Sequence, residues 1–291
     1  DGLGDTVRVS LTEPPEYEAP VADYLIKHFL VPERTQLTFP EIQVPLDPFS
    51  FSRRKTNPVY QLGGENVPRV IANFPQGIQT EADLAAIGHL FDPVPDKWTM
   101  TEMGGDLIYL GKQIAPFMLP MGLKAIYDHE TWEIASDSAN SFPFFQDFST
   151  YQNGKRHPIL NFVRFTSQTA KFWNQLDETS VIVLDTETAN PVLEARSVLF
   201  QLMHEGCKIP VVVRQYIQPI ENQVFPDGTG SEAESRQARF QLTAACDYGQ
   251  LLIDGLTDGI WICTNAEYSA ELQNRVAFGM LQAARQRITK T

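Results

Sequence analysis

Two polar side chains near the start of the chain form the pattern best suited to chemistry. Arg8 and Ser10 alternate with Val7 and Val9 after a glycine-containing turn. Residues two apart share one face of a β-strand, so the predicted strand would hold the guanidinium and the hydroxyl side by side. Arginine binds phosphate through two charge-assisted hydrogen bonds, and serine adds another donor. The spacing indicates an anion-binding face, with an edge-strand arginine in solvent as the alternative.

This opening stretch returns in altered form near the end of the chain. The first ten residues read DGLGDTVRVS, and residues 254–263 read DGLTDGIWIC. Arg8 and Ser10 correspond to Trp261 and Cys263, so a polar face has become an apolar one. We interpret the two stretches as a duplicated strand of which one copy kept its polar groups.

Four further charged residues follow predicted strands. Asp128, Arg164, Asp185 and Arg214 each come at or near the end of a short apolar run. Active sites of βα barrels form at the carboxyl ends of the strands, so these residues are a speculative second site. The alternative is that they are helix caps or ion pairs at the barrel rim.

Alternating strand and helix patterns position these groups and predict an α/β fold with a TIM-barrel-like (β/α) domain, with an incomplete or distorted barrel as the alternative to a complete one. No glycine-rich nucleotide motif follows a strand, which favours a closed barrel over a doubly wound sheet. We divide the chain into a strand and helix at 1–30, a Pro-rich connecting segment at 31–66 and a barrel-like domain at 67–291. The expected barrel strands lie at 69–72, 106–110, 124–127, 159–163, 181–185, 209–213, 251–253 and 260–262, and the expected helices lie at 17–30, 190–206, 231–249 and around 272–281.

Composition limits the classes of function. The formal charge of −13 argues against nucleic acid, and the basic cluster Arg53-Arg54-Lys55 is interpreted as a solvated tether. Hydrophobic residues make up 43% of the chain. The sequence contains no apolar run long enough to predict a membrane span or a signal peptide. The three cysteines lack C-x-x-C spacing, which is typical of reduced structural thiols. The adjacent Asp128-His129-Glu130 is interpreted as a loop and not as a metal site.

The longer motif at the start, DGLGDTVRVSLTEPP, resembles the last strand of the catalytic barrel in the hydroxymethylbutenyl diphosphate synthase family of the non-mevalonate isoprenoid pathway. LLIDGLTDGI at 251–260 and residues 278–291 are similar to the stretch just ahead of that family's iron-sulfur module. The tract between them resembles the large central insertion domain of the three-domain form found in plants, apicomplexans and some bacteria.

The resemblance implies that the full enzyme is an oxidoreductase of terpenoid biosynthesis. It reductively converts 2-C-methyl-D-erythritol 2,4-cyclodiphosphate to 4-hydroxy-3-methylbut-2-enyl diphosphate with a [4Fe-4S] cluster and a ferredoxin or flavodoxin donor. Arg8 and Ser10 match the family's diphosphate-binding positions. Cys207, Cys246 and Cys263 match none of the cluster ligands, which the family places in a separate module. The resemblance therefore implies a structural segment that is inactive alone, cytoplasmic in a bacterium or plastid-located in a plant or apicomplexan.

The implied role is a spacer between the chain's own catalytic barrel and its iron-sulfur module. Two alternatives stay open. The barrel could hold its own phosphate or isoprenoid site built from Asp128, Arg164, Asp185 and Arg214. It could also dock the electron donor, which the acidic charge disfavours because those donors are acidic themselves.

Overall fold

Eight parallel strands close into a barrel in the computed structural model of the protein, which describes residues 5–10, 15–30, 46–47, 49–135, 137, 139–219, 232–264 and 268–286. The closed α/β barrel confirms the TIM-barrel-like fold. The barrel strands are β1 (Arg69–Asn73), β4 (Leu107–Gly111), β5 (Lys124–Asp128), β6 (Ser141–Phe145), β7 (Asn161–Phe165), β8 (Ser180–Asp185), β9 (Val211–Tyr216) and β10 (Gly259–Cys263), and a separate hairpin consists of β2 (His89–Asp92) and β3 (Lys97–Met100). The α-helices are α1 (Glu18–Phe29), α2 (His129–Ile134), α3 (Phe148–Asn153), α4 (Pro191–His204), α5 (Glu232–Ile253) and α6 (Ala270–Ala283).

The strands are buried on both faces, as expected for a parallel sheet covered by helices. Alternate residues point inward, where Phe144, Phe162 and Trp261 are fully buried at 0% exposure. The residues between them point outward into a larger apolar cluster with the helices. The barrel interior is therefore a packed core and not a pore.

The layer of helices is uneven around the barrel. α4, α5 and α6 have 14, 22 and 14 residues, whereas α2 and α3 have six each. Asn190 caps α4 by accepting a hydrogen bond from the amide of Leu193, with Pro191 at the first helical position. That cap confirms the helix start expected from the sequence. Residues 112–123, between β4 and β5, contain no helix.

The segment before the first barrel strand closes the amino end of the barrel. Val59 and Leu62 are buried in the same cluster as the interior side chains. Arg54 is only 4% exposed and donates hydrogen bonds to the carbonyl oxygens of Cys207 and Ile209. The prediction that Arg53-Arg54-Lys55 is a solvated tether was therefore wrong for Arg54. Residues 31–45 and 48 of the predicted connecting segment lie outside the described residues.

Two strand predictions were also wrong. Residues 5–10 form no strand, and no barrel strand pairs with them within the described part of the chain. Residues 251–253 belong to the last turn of α5, which continues past Gly249. Leu251 and Leu252 are buried while Ile253 is 64% exposed, so this apolar run has one buried helical face. A short apolar run does not distinguish a buried strand from a helix by periodicity alone.

The sequence patterns did not predict β6 or the hairpin of β2 and β3. β6 has the sequence SFPFF, and Pro143 in its centre pairs with Tyr127 of β5. Proline removes a backbone donor and argues against a central strand in sequence, which hid β6. Phe142, Phe144 and Phe145 are all buried, so packing outweighs the lost hydrogen bond.

α1 packs lengthwise against α5. The Tyr24 hydroxyl contacts the Thr243 hydroxyl, and His28 Nε2 lies 2.8 Å from Asp247 Oδ1. The second contact lies four residues further along each of the two helices than the first, so α1 runs parallel to α5. The start of α1 therefore lies near the start of α5, at the carboxyl end of the strands. Gln286, after α6, donates to the Leu252 carbonyl oxygen at the opposite end of α5.

None of the helices in the described ranges is long and apolar enough to cross a membrane.

Candidate functional site

The carboxyl ends of the barrel strands bring the four predicted charged residues to one rim. Each side chain continues the inward-facing alternation of its strand by one further position, above Ile126, Phe162, Val183 and Val212. Asp185 on β8 lies directly opposite Arg214 on β9, and Arg214 lies opposite Trp261 on β10. The residues lying at or next to this rim are Asn73, Tyr109, Asp128, Gln146, Arg164, Asp185, Arg214 and Tyr216.

Three of the four charges form one ion-pair network. Asp185 accepts two hydrogen bonds from Arg214, at 2.6 Å from both Nε and Nη2, and a third from Arg164 Nε at 2.6 Å. Arg164 also lies 3.4 Å from Glu187. Burial opposes the charged form of Arg214, but the hydrogen bonds and charge of Asp185 outweigh it and raise the pKa of Arg214. The arginine is held as a fixed, paired cation.

An aromatic platform fixes this cation from below. The guanidinium carbon of Arg214 lies 4.8 Å from the ring centroids of both Phe144 and Trp261. The Trp261 indole nitrogen donates to Asn73 Oδ1 at 3.1 Å, and its ring lies 4.7 Å from that of Tyr109. Arginine stacked on aromatic faces gains cation–π attraction, which is larger when the pair is desolvated. Trp261 thus fills the centre of the barrel mouth.

Asp128 belongs to a separate pair on the same rim. Its carboxylate accepts hydrogen bonds from the Tyr109 hydroxyl at 2.7 Å and from Gln146 Nε2 at 2.9 Å. Burial, followed by the hydrogen bond to Asp128, raises the pKa of Tyr109. The phenol therefore stays protonated and acts as a hydrogen-bond donor at neutral pH. Its role is to orient Asp128.

All four predicted side chains are thus satisfied by protein partners. The structure brings Arg164, Asp185 and Arg214 together and leaves Asp128 in its own pair. This arrangement fits the alternative given from the sequence, in which these residues are ion pairs at the barrel rim. Acid–base catalysis needs a group that is free to exchange a proton with the substrate.

The three cysteines do not fit a metal or iron-sulfur site. Cys263 faces the barrel interior, whereas Cys207 belongs to the cluster outside the strands and Cys246 lies on α5. Burial raises the pKa of the Cys263 thiol to about 12, which disfavours the thiolate that metals bind. Among the residues that the structure describes, no group of three or more histidine, cysteine or acidic side chains could hold a metal ion.

Arg8 and Ser10 lie apart from this rim. Both are exposed in a segment without regular secondary structure. Their predicted diphosphate-binding role therefore stays a prediction, and Asp1 to Gly4 of the same motif lie outside the described residues. Their counterparts behave as the repeat implied, since Trp261 and Cys263 are 0% and 1% exposed inside the barrel.

Comparison with known proteins gave one consistent group of relatives. The chain is 32% identical over 296 residues to a 4-hydroxy-3-methylbut-2-en-1-yl diphosphate synthase (flavodoxin) of Bacteroides thetaiotaomicron, with 100% of this chain and 42% of the relative covered. It is 30% identical to the enzyme of the same name from Bacteroides fragilis, covering 41% of that protein, and 27% identical to that of Leptospira interrogans, covering 45%. Along its whole length, the chain is related to one segment of these synthases. No family model matches it.

The chain spans about two fifths of the length of the synthases it matches. The family resemblance inferred from the motifs at both ends is confirmed by this match across the whole chain. Identity extends through the closed barrel, so the barrel belongs to the synthase segment.

Several residues of the rim and of the opposite end were missed from sequence. Tyr109 and Gln146 do not belong to any recognisable motif. They lie beside Asp128 because β4 and β6 are the neighbours of β5, which the sequence does not show. Asp258 had a usable signal, since it lies within the repeated DGLTDG stretch. It accepts hydrogen bonds from the Val211 amide and the Thr56 hydroxyl, both at 3.0 Å. That repeat position fixes the amino end of the barrel.

Proposed function

We propose that this chain is the structural central segment of a longer 4-hydroxy-3-methylbut-2-en-1-yl diphosphate synthase, an iron-sulfur oxidoreductase of non-mevalonate isoprenoid biosynthesis. The segment itself binds no substrate in its barrel and is inactive alone. The longer protein is cytoplasmic and takes electrons from flavodoxin, the donor in the relatives' name, or from ferredoxin. Its cluster ligands lie outside this chain.

The observation that carries this proposal is the occupied mouth of the barrel. Trp261 fills the position that corresponds to Arg8 in the repeat, and Asp185 pairs with Arg214 and Arg164. A ligand at this rim would have to break a buried ion pair, and breaking such a pair costs roughly 3–5 kcal/mol when one charge is left alone. The rim is therefore suited to stability and poorly suited to turnover.

The path of the chain supports a spacer role. Residues before α1 lie at the carboxyl end of the strands, and residues after α6 lie at the amino end, beside Leu252. Since Tyr24 lies opposite Thr243, the start of α1 at Glu18 lies opposite about residue 237, so these two points are separated by roughly 15 residues of α5, or about 22 Å at 1.5 Å per residue. Parts of a longer protein joined at these two points would be held apart by the rigid barrel. We infer that this separation lets the iron-sulfur module reach the catalytic barrel of the same chain.

Subunit complementation of the full-length protein tests this proposal. One variant carries Arg8→Gln and a second lacks one cysteine ligand of the iron-sulfur module, so each is expected to be inactive. If both parts act within one chain, co-refolded mixtures stay inactive, because every chain has one defective part. Recovery of activity in the mixture would show that the module serves a partner subunit, and the spacer proposal would be wrong.

A further inference from the structure

One glutamine side chain lies inside the apolar layer between the barrel strands and the helices. Gln215 faces outward from β9 and is 1% exposed. Val213 and Ile217, the outward residues on either side of it, belong to the large apolar cluster outside the strands. Ile262 of β10, which pairs with Gln215, belongs to the same cluster. Burial of an amide among such neighbours is unfavourable unless the amide is hydrogen-bonded.

The side-chain amide of Gln215 lacks a protein partner in the part of the chain that the structure describes. Neither its Oε1 nor its Nε2 forms a hydrogen bond there. The Tyr248 hydroxyl of α5 lies beside this residue, but it accepts from the Gln215 backbone amide at 3.0 Å and donates to the Trp261 carbonyl oxygen at 2.7 Å. Buried polar groups of folded proteins are nearly always paired with protein or with ordered water. We therefore expect a partner that is not part of the protein.

A second unpaired group lies on the neighbouring strand. Thr264 follows β10, two residues beyond Ile262, and residues two apart on a strand share one face. The pairing of the two strands continues to this point, since the Ile217 amide donates to the Cys263 carbonyl oxygen at 2.8 Å. The Thr264 hydroxyl oxygen is buried and, like the amide of Gln215, forms no hydrogen bond with the described residues. Both groups therefore lie on the side of the strands that α5 covers.

We propose that an ordered water molecule binds at the carboxyl ends of β9 and β10 and bridges the Gln215 amide and the Thr264 hydroxyl. Neighbouring strands lie about 4.8 Å apart and residues two apart on a strand about 6.6 Å, so the two Cα atoms are separated by roughly 8 Å. A water molecule with a hydrogen bond of about 2.8 Å on each side spans that distance together with the two side chains.

The chemistry of the two groups favours water as the ligand. A buried water typically makes about three hydrogen bonds, and it can donate to and accept from the same amide. Neither Gln215 nor Thr264 carries a charge, whereas the sites of hard divalent cations are built around carboxylates. The bound water ties the ends of the two strands together beneath α5. This inference does not depend on the proposed function, because it concerns only the packing of these elements.

A crystal structure of the full-length protein at about 1.5 Å resolution tests the site directly. We expect one ordered water within about 2.7–3.2 Å of Thr264 Oγ1 and of either polar atom of the Gln215 side chain. Three results would overturn the proposal: a direct hydrogen bond between the two side chains, an empty space between them, or a metal ion at the shorter distances of about 2.3–2.6 Å.

Thermal unfolding of full-length variants gives a second test, because the sign of the effect depends on the water. Gln215→Met keeps the length of the side chain and removes the amide. Loss of hydrogen bonds to water should lower Tm by at least about 4 °C, whereas removal of an unpaired amide would raise Tm. Gln201→Met is the matched control, because Gln201 pairs only with Glu205 on the exposed side of α4, and its Tm should stay within about 2 °C. A Tm of Gln215→Met within the range of the control, or above that of the unmodified protein, would overturn the proposal.

A double variant tests whether the two groups share one water. Thr264→Val keeps the shape of the side chain and removes its hydroxyl. The loss of Tm in the variant with both substitutions should be smaller than the sum of the two single losses, because either substitution already removes a bridge of the shared water. Additive losses would show that the two groups act independently and would overturn the proposal.

Discussion

Two buried side chains distinguish the second copy of the repeated motif from the first. Arg8 is exposed, whereas Trp261 at the equivalent place is fully buried and supports Arg214 with its ring. Cys263 fills space where the other copy carries Ser10. The exchange of two polar side chains for apolar ones accounts for a barrel that is packed up to its mouth.

Removing the indole of Trp261 should be strongly destabilising. We expect Trp261→Ala to lower the free energy of unfolding by about 3–5 kcal/mol, because it leaves a cavity under Arg214 and an unpaired Asn73. Trp261→Phe keeps the aromatic face and should lose less. Urea unfolding of the two variants measures this difference, and a loss below about 1 kcal/mol for Trp261→Ala would mean that the mouth does not depend on the ring.

His157 should make stability depend on pH. Burial lowers its pKa, and its Nδ1 accepts from the Ile159 amide at 3.1 Å, which requires a neutral ring. Because the folded-state pKa lies below the unfolded value of about 6.5, its contribution is present above that pH and is lost as pH falls through the folded-state pKa. The difference in unfolding free energy between the unmodified protein and His157→Asn should therefore shrink on acidification from pH 7. A difference independent of pH would contradict a neutral His157.

At the scale of elements, residues 54–63, before β1, form a plug that closes the amino end of the barrel. Arg54 lies 3.6 Å from Asp258, and Thr56 donates to the same carboxylate. Burial lowers the pKa of Arg54 and raises that of Asp258, so each charge depends on the other. The turn that follows needs Gly63, where φ is +71° and a Cβ would lie 2.4 Å from the Asn57 carbonyl oxygen.

Neighbouring residues of the plug provide a matched pair for mutation. Arg54→Ala should cost about 3–5 kcal/mol, because it removes the buried cation from Asp258 and leaves only the less buried Arg53, 3.7 Å away. Lys55→Ala should change stability by no more than about 0.5 kcal/mol, because Lys55 is exposed. Chemical unfolding of both variants gives the comparison. Equal small effects would mean that this segment is the solvated tether that composition alone suggested.

Local patterns predicted the elements whose periodicity was unambiguous. Val181–Asp185 and the capped helix α4 have clear signals, and both are present. β6 was missed because Pro143 argues against a strand. The end of α5 was assigned to a strand because a run of three apolar residues fits the periodicity of a strand and of a helix equally well. The rim residues were placed correctly because a parallel barrel puts all strand ends together. Their pairing with one another depends on which strands are neighbours, which no local pattern contains.

At the scale of the molecule, we propose that the barrel is a rigid spacer between two attachment points. The domain division at residues 30 and 66 stays a prediction, although α1 packs on α5 and the plug packs into the barrel. The long helices cover one side of the barrel, and the helix-free loop 112–123 lies on the other.

Replacing the barrel by a flexible linker tests whether its rigidity matters. A Gly/Ser linker of about 16 residues in place of residues 15–286 spans a root-mean-square distance of roughly 22 Å, close to the separation of the two attachment points along α5. We expect the full-length protein with this linker to lose most of its activity or to change its oligomeric state, since the mean distance is kept but the orientation is not. Normal kcat with an unchanged oligomeric state would show that the barrel is dispensable.

The central claim is that this barrel supports the enzyme without performing its chemistry, and two arginines test it most directly. In the full-length protein, kcat/KM is measured for Arg164→Gln at the barrel rim and for Arg8→Gln in the opening motif, with Tm measured for both. We predict that Arg164→Gln leaves kcat/KM within about a factor of two while lowering Tm. Arg8→Gln should lower kcat/KM about 10- to 100-fold at unchanged Tm, because a charged hydrogen bond contributes about 1.5–3 kcal/mol. A loss of kcat/KM of tenfold or more for Arg164→Gln with Tm unchanged would place chemistry in this barrel and contradict the claim.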